Sequence, residues 1–265
     1  MENFIAEFFG TMVLLTFGIG VVAGVVLNGT KSNSSGWIVI TFGWGLGVMV
    51  AVYATGWISG AHINPAVTVA LYAAGELSLG DTIGYIVAQM AGAFTGAAIV
   101  LGMYYPHYKA TDDQGAKLAT FSTGPAVRHT PSNFFSEVIG TFMLLFGIAG
   151  INNSGVVAGV APLLVGLLVV GIGLTLGGTT GYAINPARDL GPRIAHFLLP
   201  VPNKGSSDWN YSWIPVVGPL VGGALGYLVY NAIFLDTIGA ALFVVAGIFV
   251  VLQIASFYIK LEGQE

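Results

Sequence analysis

The tripeptide Asn-Pro-Ala occurs twice in this chain, and each copy interrupts a long apolar stretch. The two copies are Asn64-Pro65-Ala66 and Asn185-Pro186-Ala187. Asparagine is favoured just before a helix, and proline at the first helical position, where its missing N–H would have no intrahelical partner. Each copy therefore predicts that a new helix begins inside an apolar region. Such breaks at matching positions of two halves are typical of proteins that move solutes across membranes.

The composition places the chain in a lipid bilayer. Of its 265 residues 55% are hydrophobic and only 8% are charged, and the mean hydropathy is +0.83, which is too apolar for a wet surface. No basic segment precedes the first apolar run, so we expect the first helix to be retained and not cleaved. A net charge of −4 argues against a nucleic-acid partner, and the absence of cysteine excludes disulfides and thiolate sites.

Uncharged windows of about 20 residues, the length that crosses roughly 30 Å of hydrocarbon, predict six spanning helices. We place them at residues 4–27, 37–55, 83–103, 133–151, 157–176 and 213–234. The segments 59–74 and 180–199 are too short and too polar at their starts to cross, so we expect them to re-enter the membrane. The run 237–259 is long enough for a seventh crossing outside the repeat, with a helix on the membrane surface as the alternative.

An internal repeat supports this arrangement. Residues 6–11 are echoed by 136–141, and residues 59–66 by 180–187. Three spans in each half make the second half inverted relative to the first, so the re-entrant segments enter from opposite faces. Each half-helix of about 11 residues covers roughly 16 Å, which is half of the hydrocarbon. The two helices should therefore meet by their N-termini at the mid-plane.

The predicted fold class is thus an all-α integral membrane protein with six transmembrane helices and two re-entrant half-helices in an inverted repeat. We expect a channel domain over residues 1–235, with repeats at about 1–105 and 131–235, and an additional apolar segment over 236–265 that can form an extra C-terminal transmembrane helix.

The point where the half-helices meet predicts a polar pore. Two positive helix ends and two asparagine amides must be satisfied there by something polar, and water or solute hydroxyls can do this. The non-helical backbone before each cap would add a ladder of carbonyl acceptors. These carbonyls belong to Gly60, Ala61, His62, Gly181 and Ala183. Paired helix N-termini repel cations and protons.

The chain resembles the aquaporin superfamily of major intrinsic proteins, and within it the bacterial glycerol facilitators, over residues 4–235. Residues 6–8, 59–68 and 185–192 carry the resemblance, and the last segment reads Asn-Pro-Ala-Arg-Asp-Leu-Gly-Pro. The resemblance implies one pore per protomer, a homotetramer in the plasma membrane, and passive flux of glycerol and water without a cofactor or metal.

The resemblance assigns the selectivity filter to Trp44, Gly173, Tyr182 and Arg188. Arg188 is a cation close to the positive end of a helix, and a charge in such an unfavourable place inside a membrane indicates function. Water-selective relatives carry histidine in place of Gly173, so a wider constriction is expected here. Glycerol facilitators usually have phenylalanine in place of Tyr182. The wider constriction makes glycerol the first expectation. The hydroxyl of Tyr182 leaves water, dihydroxyacetone and protonated lactic acid as alternatives.

Four polar residues are expected to support the pore. Glu7 and Glu137 lie at equivalent places in the two repeats and should accept hydrogen bonds from the re-entrant segments. Gln89 should form a polar contact between elements, and Asp189 should hold a loop near the filter.

A proton-coupled transporter that uses Glu7, Glu137 and His62 is the alternative of a different class. We expect no enzyme, because no nucleophile and base and no metal ligands occur together at helical spacing.

The orientation in the membrane is predicted differently by two arguments. Basic residues in the loops opposite the N-terminus would make that side cytoplasmic. These residues are Lys31, Lys109, Lys117, Arg128 and Lys204. The resemblance instead places the N-terminus inside and the loop 104–131 outside, and we follow the resemblance because the charges are few.

Overall fold

The computed structural model describes residues 1–261 and contains ten α-helices in that range. They are α1 (Glu2–Val26), α2 (Trp37–Ser59), α3 (Pro65–Ala73), α4 (Leu79–Ala110), α5 (Gln114–Phe121), α6 (Thr130–Asn153), α7 (Ala161–Leu176), α8 (Pro186–Leu198), α9 (Ile214–Phe234) and α10 (Ala240–Ser256). The helices α3 and α8 are the two predicted half-helices. Together with the spanning helices they confirm the predicted all-α membrane fold.

Five of the described helices have the length and hydropathy of complete membrane spans. These are α1, α2, α4, α6 and α9. The fifth predicted span, 157–176, is shorter than expected, because α7 begins only at Ala161 and has 16 residues. Val160 N–H donates to the carbonyl of Val157 at 2.8 Å in a turn, and Pro162 then occupies the first turn of α7, where proline is favoured.

Two other predicted boundaries are wrong because helices continue beyond them. The helix α2 runs to Ser59, so the first re-entrant segment begins at Gly60, whose φ of +82° ends the helix. The helix α4 has 32 residues and begins after Ser78, whose side chain accepts a hydrogen bond from Asp81 N–H. The expected loop 104–131 therefore contains the last turns of α4 and the whole of α5.

Close glycine contacts pair α1 with α4 and α6 with α9. A Cβ atom on Gly92 would lie 2.2 Å from the carbonyl oxygen of Phe8, and one on Gly222 would lie 2.1 Å from that of Val138. Gly226 makes the same kind of contact, with a Cβ 2.3 Å from the carbonyl oxygen of Phe142. Small residues thus allow backbones to touch, and the matching contacts in the two halves agree with the predicted inverted repeat.

Successive helices assign the connecting segments to one of two faces, apart from residues 177–185, which lead into the half-helix α8. The N-terminal face holds the start of α1 and the segments 60–78, 154–160 and 235–239, and the opposite face holds 27–36, 111–129 and 199–213. The half-helix α3 ends at the N-terminal face and α8 at the opposite face. The two therefore enter from opposite sides, as the repeat predicts.

The C-terminal helix α10 packs on the outside of the repeat against α6 and α9. Phe249 lies against Phe135 with ring centroids 6.3 Å apart, and Gln253 Nε2 donates to the carbonyl of Pro131 at 3.2 Å. Because α10 starts just after α9 ends and Pro131 lies at the opposite face, α10 extends along the bundle between the two faces. Its 17 residues span about 25 Å, and crossing of the bilayer stays a prediction.

We expect Gly92→Ala to reduce stability strongly, because its Cβ would collide with backbone atoms of α1 that cannot move away separately. Overpacking costs about 1–3 kcal/mol or more. Gly102→Ala is the matched control in the same helix, since nothing lies within 4 Å of its Cβ. The thermal unfolding midpoint of the purified protein in detergent measures both changes, and equal midpoints for the two variants would contradict the packing argument.

Candidate functional site

The two Asn-Pro-Ala motifs meet tip to tip and hold each other by reciprocal hydrogen bonds. Asn64 Oδ1 accepts from Ala66 N–H at 2.8 Å and caps α3, while Asn64 Nδ2 donates to the carbonyl of Ile184 at 2.8 Å. Asn185 caps α8 in the same way, and its Nδ2 donates to the carbonyl of Ile63 at 2.8 Å. Each asparagine therefore starts its own half-helix and fixes the backbone that leads into the other.

The backbone before each cap is held in a left-handed conformation that side chains rarely adopt. Ala61 and Ile63 have φ of +47° and +44°, and Tyr182 and Ile184 have φ of +40° and +44°. Such a conformation costs about 1–2 kcal/mol per non-glycine residue. The repetition in both halves shows that the same unusual path is built twice.

A buried carboxylate holds each of these segments. Glu137 Oε1 accepts from Thr180 Oγ1 at 2.6 Å and from Ala183 N–H at 3.0 Å, and its Oε2 accepts from Ile184 N–H at 3.0 Å. The carboxylate thus binds N–H groups of the segment before Asn185, and the carbonyls of that segment point away from α6.

Glu7 makes the corresponding bonds in the first repeat. It accepts from Ser59 Oγ at 2.6 Å and from the N–H groups of His62 and Ile63 at 2.9 and 2.7 Å. Gln89 adds a bond that the second repeat does not have, since its Nε2 donates to Glu7 Oε2 at 2.8 Å.

His62 is half-buried and belongs to a polar cluster at the first re-entrant segment. Its Nδ1 lies 3.1 Å from Thr68 Oγ1, which also accepts from Gln89 Nε2 at 3.0 Å. The ring packs 4.8 Å from that of Tyr85, whose hydroxyl donates to the carbonyl of Ser59 at 3.0 Å. The His62 side chain is therefore engaged by neighbours on both sides.

One cavity of about 660 Å³ runs past both motifs. Its polar wall includes both cap asparagines and the backbone of the re-entrant segments, and its apolar wall is built from α2, α6 and α7. The polar lining includes Gly60, Ala61, His62, Asn64, Ala183, Asn185 and Arg188, and the apolar lining includes Val48, Val52, Leu144, Ile148, Val165 and Val169. A passage with one polar and one apolar side suits a solute that has hydroxyls on a carbon chain.

At one end of this cavity Arg188 and Trp44 lie in direct contact. The Arg188 guanidinium carbon lies 3.9 Å from the centre of the Trp44 ring system, a desolvated cation–π contact worth about 2 kcal/mol. The ring itself fills the space beside Gly18, where a Cβ would lie 2.1 Å from it. Three buried polar atoms here have no hydrogen-bond partner among the described residues: Trp44 Nε1, Tyr182 Oη and Arg188 Nη1.

The room left by Gly173 is occupied by Tyr182. A Cβ on Gly173 would lie 2.7 Å from Tyr182 Cζ, and the tyrosine ring also packs edge-on against Trp37 at 5.8 Å. Gly173 does not itself line the cavity. The missing side chain therefore makes space for the aromatic ring of Tyr182.

Gly181 also lies away from the cavity. Its N–H donates to the carbonyl of Gly177 at 2.9 Å, and a Cβ would meet Thr123 at 3.4 Å. Gly181 therefore continues the end of α7, and the ladder of backbone groups along the cavity begins one residue later.

Asp189 and Arg193 form a fully buried ion pair on α8, with Arg193 Nε 2.8 Å from Asp189 Oδ1. Asp189 Oδ2 also accepts from the N–H and the hydroxyl of Thr123, both at 2.7 Å. Arg193 donates onward to the carbonyls of Ser207 and Asp208 at 2.7 and 3.0 Å. This network ties the segments 122–129 and 199–213 to the half-helix that carries Arg188.

Sequence reasoning missed Arg193 and Gly18. The spacing of Asp189 and Arg193, four residues apart on a helix, was a usable signal for the ion pair. The sequence around Gly18 contains no signal that predicts the packing of a tryptophan from another helix on this residue.

Comparisons with known proteins agree with this geometry. A family model described as "Major intrinsic protein" matches residues 1–230. The chain is 54% identical over 257 residues to the "Glycerol uptake facilitator protein" of Bacillus subtilis (strain 168), covering 97% of this chain and 94% of that protein. It is 56% identical over 234 residues to the "Probable glycerol uptake facilitator protein" of Thermotoga maritima, covering 88% and 100%. Among solved structures, the aquaglyceroporin from Plasmodium falciparum matches with a TM-score of 0.79 and 32% identity, covering 89% of this chain and 97% of the other.

We expect Glu137→Gln to lower the free energy of unfolding by about 2–3 kcal/mol, because an amide group would face donors that need an acceptor inside the bundle. Glu2→Gln, which changes an exposed carboxylate, is the control and should leave stability unaltered. Denaturant unfolding in mixed micelles measures both. Wild-type stability in Glu137→Gln would show that the carboxylate does not hold the segment.

Proposed function

Because the chain belongs to the major intrinsic protein family, we propose that it forms a passive transmembrane channel for glycerol and other small uncharged solutes, with water as a second permeant, in the plasma membrane. The observation that best supports this function is the continuous cavity past both asparagine caps, which has one polar and one apolar wall. A binding site for a polyol needs hydroxyl partners on one side and room for carbon on the other, and this cavity provides both.

The filter residues supply the hydrogen bonds. Arg188 Nη1 and Trp44 Nε1 are buried N–H donors without a partner among the described residues, and the Tyr182 hydroxyl can donate or accept. Leaving such groups unsatisfied costs about 1–3 kcal/mol each, so a solute oxygen or a water molecule at this point is favoured. The ring of Trp44 offers an apolar face to the carbon chain.

At the mid-plane, the cap asparagines provide the next hydrogen bonds. Each amide nitrogen carries two hydrogens, and one of them binds the carbonyl of the other repeat. The second can donate to a passing hydroxyl. Two helix N-termini and Arg188 place positive potential along the same passage, which excludes cations and protons.

We propose residues 1–235 as the channel domain and 236–265 as an added segment. All residues that line the cavity precede Leu235, and α10 packs against the outer side of α6 and α9. We also propose a homotetramer with one pore in each protomer, as expected for this family. The mass of the protein in detergent, corrected for bound detergent, tests the tetramer.

Flux measurements distinguish the channel from a proton-coupled transporter. We expect stopped-flow light scattering of proteoliposomes to show glycerol entry that rises linearly with the glycerol gradient and is unchanged by a protonophore. Glu7, Glu137 and His62 are all engaged by neighbouring residues, so coupling to protons is not favoured. Saturable uptake that collapses with the proton gradient would replace the channel with the transporter.

Substitution of the filter tests the proposed solute contacts. We expect Arg188→Lys to lower glycerol permeability about tenfold, the value of one lost charge-assisted hydrogen bond, because an ammonium group lacks the planar fork. Arg188→Ala should also let small cations pass. Tyr182→Phe removes only the hydroxyl, and it should change the ratio between glycerol and the alternatives dihydroxyacetone and protonated lactic acid. If all three variants kept every relative permeability, the filter would lie elsewhere.

A further inference from the structure

A polar pair lines the N-terminal mouth of the cavity, apart from the caps and the filter. Glu76 follows α3, Tyr227 lies on α9, and both residues line the cavity. The Tyr227 hydroxyl lies 2.8 and 3.0 Å from the two carboxylate oxygens of Glu76. The pair therefore joins the two halves of the repeat at the point where a solute enters or leaves.

The backbone fixes Glu76 at this mouth. Gly75 has a φ of +80°, its N–H donates to the carbonyl of Tyr72 at 3.0 Å, and Glu76 N–H donates to that of Leu71 at 2.9 Å. These two bonds close the end of α3 in the manner of a Schellman motif. The short turn leaves the Glu76 backbone little freedom, which keeps its side chain beside α9.

The other half of the repeat shows that the fold does not require this pair. The cap asparagines Asn64 and Asn185 are 121 positions apart, which places Phe197 opposite Glu76. The packing glycines Gly92 and Gly222 are 130 positions apart, which places Ala97 opposite Tyr227. Neither counterpart is polar, so the inverted repeat is built without a carboxylate and a hydroxyl at the opposite mouth.

We propose that Glu76 and Tyr227 form a second binding subsite for neutral polyols, which we call the mouth subsite. The proposal rests on the proposed function of the channel. A carboxylate has about four lone-pair sites, and the one hydrogen of the Tyr227 hydroxyl is shared between its two oxygens. The remaining sites accept from the hydroxyls of a vicinal diol, and such charge-assisted bonds are stronger than neutral ones. The amide of Asn152 lines the same part of the cavity.

The two ends of the passage are chemically complementary for such a solute. The filter offers mainly N–H donors, from Arg188 and Trp44, whereas the mouth subsite offers carboxylate acceptors. Each hydroxyl of a polyol can both donate and accept. A polyol therefore donates at the mouth and accepts at the filter, whereas a solute without O–H or N–H groups has nothing to donate to Glu76.

The charges of the two faces favour a neutral ligand at the mouth. All eight Lys and Arg residues of the chain are in the described range and lie between the mid-plane and the opposite face. Among the described residues, the N-terminal face carries Glu2, Glu76, Asp81 and Asp236. Anions such as phosphate esters and ionised carboxylates are repelled from a mouth with this potential, and cations are repelled farther along the passage by the paired helix N-termini, which leaves uncharged polyols as the permeant ligands.

Competition by a longer polyol tests the mouth subsite. A six-carbon linear alditol is added on the N-terminal side of proteoliposomes, and glycerol flux is compared with flux at the same osmolality of glycine betaine, which has no hydroxyl. Sidedness is read from labelling of one cysteine introduced at Glu2, since the chain has none of its own. We expect the alditol to inhibit wild-type flux and Glu76→Ala to weaken this inhibition about fivefold in effective concentration, the ratio that one net hydrogen bond supports.

Two further variants separate the subsite from general charge and from folding. Glu76→Gln keeps the shape and one carbonyl acceptor, so its inhibition should lie between those of the wild type and Glu76→Ala. Asp236→Asn removes one negative charge from the same face outside the cavity lining and should behave as the wild type. Monodisperse elution and an unchanged thermal midpoint confirm that each variant is folded.

The outcomes separate the two proposals. Wild-type vesicles without glycerol flux would refute the channel itself. Normal glycerol flux with equal alditol inhibition in the wild type and Glu76→Ala, or with no inhibition in either, would overturn the mouth subsite and leave the channel intact.

Discussion

The structure depends on one reciprocal contact, in which the asparagine that caps each half-helix also binds the backbone leading into the other. Helix N-termini carry N–H groups without partners, and hydrocarbon offers none. Asn64 and Asn185 satisfy part of this need within their own helices and lock the two termini together through Ile184 and Ile63. What they leave unsatisfied is polar, lies at the mid-plane and faces the cavity, so the same contact that joins the repeats also creates the passage.

That contact requires backbone which would not persist alone. Four non-glycine residues near the caps have positive φ, at about 1–2 kcal/mol each. Glu7 and Glu137 offset this cost by accepting the N–H groups that the path exposes. Because the N–H groups point to the carboxylates, the carbonyls point to the other side, where those of Ile63 and Ile184 accept from the cap asparagines. The buried charges thus serve the geometry of the passage, and neither carboxylate needs a proton-transfer role to account for its position.

Much of this arrangement can be predicted from the sequence, because the sequence signals for it are local or repeated. Asn64-Pro65 predicts a cap and a helix start, and the matched segments predict an inverted partner. Contacts between distant residues have no such signal. Tyr182 occupies the space beside Gly173, and Trp44 packs on Gly18, so the shape of the proposed filter depends on side-chain packing between elements. The boundaries of α4 and α7 were predicted wrongly, because α4 extends through polar residues at both ends and α7 begins only after a turn within an apolar run.

The two halves share a backbone plan and differ where chemistry is needed. Arg188 stands where the first repeat has Val67, Gln89 where the second has Pro219, and Glu76 where the second has Phe197. A passage with identical halves would present the same groups to a solute at both ends. In the proposed passage, hydrogen-bond donors lie toward one face and acceptors toward the other. A molecule that both donates and accepts hydrogen bonds therefore has a suitable partner at each end. In the proposed channel, the features that the two halves share therefore build the pore, and the residues that differ between them select the solute.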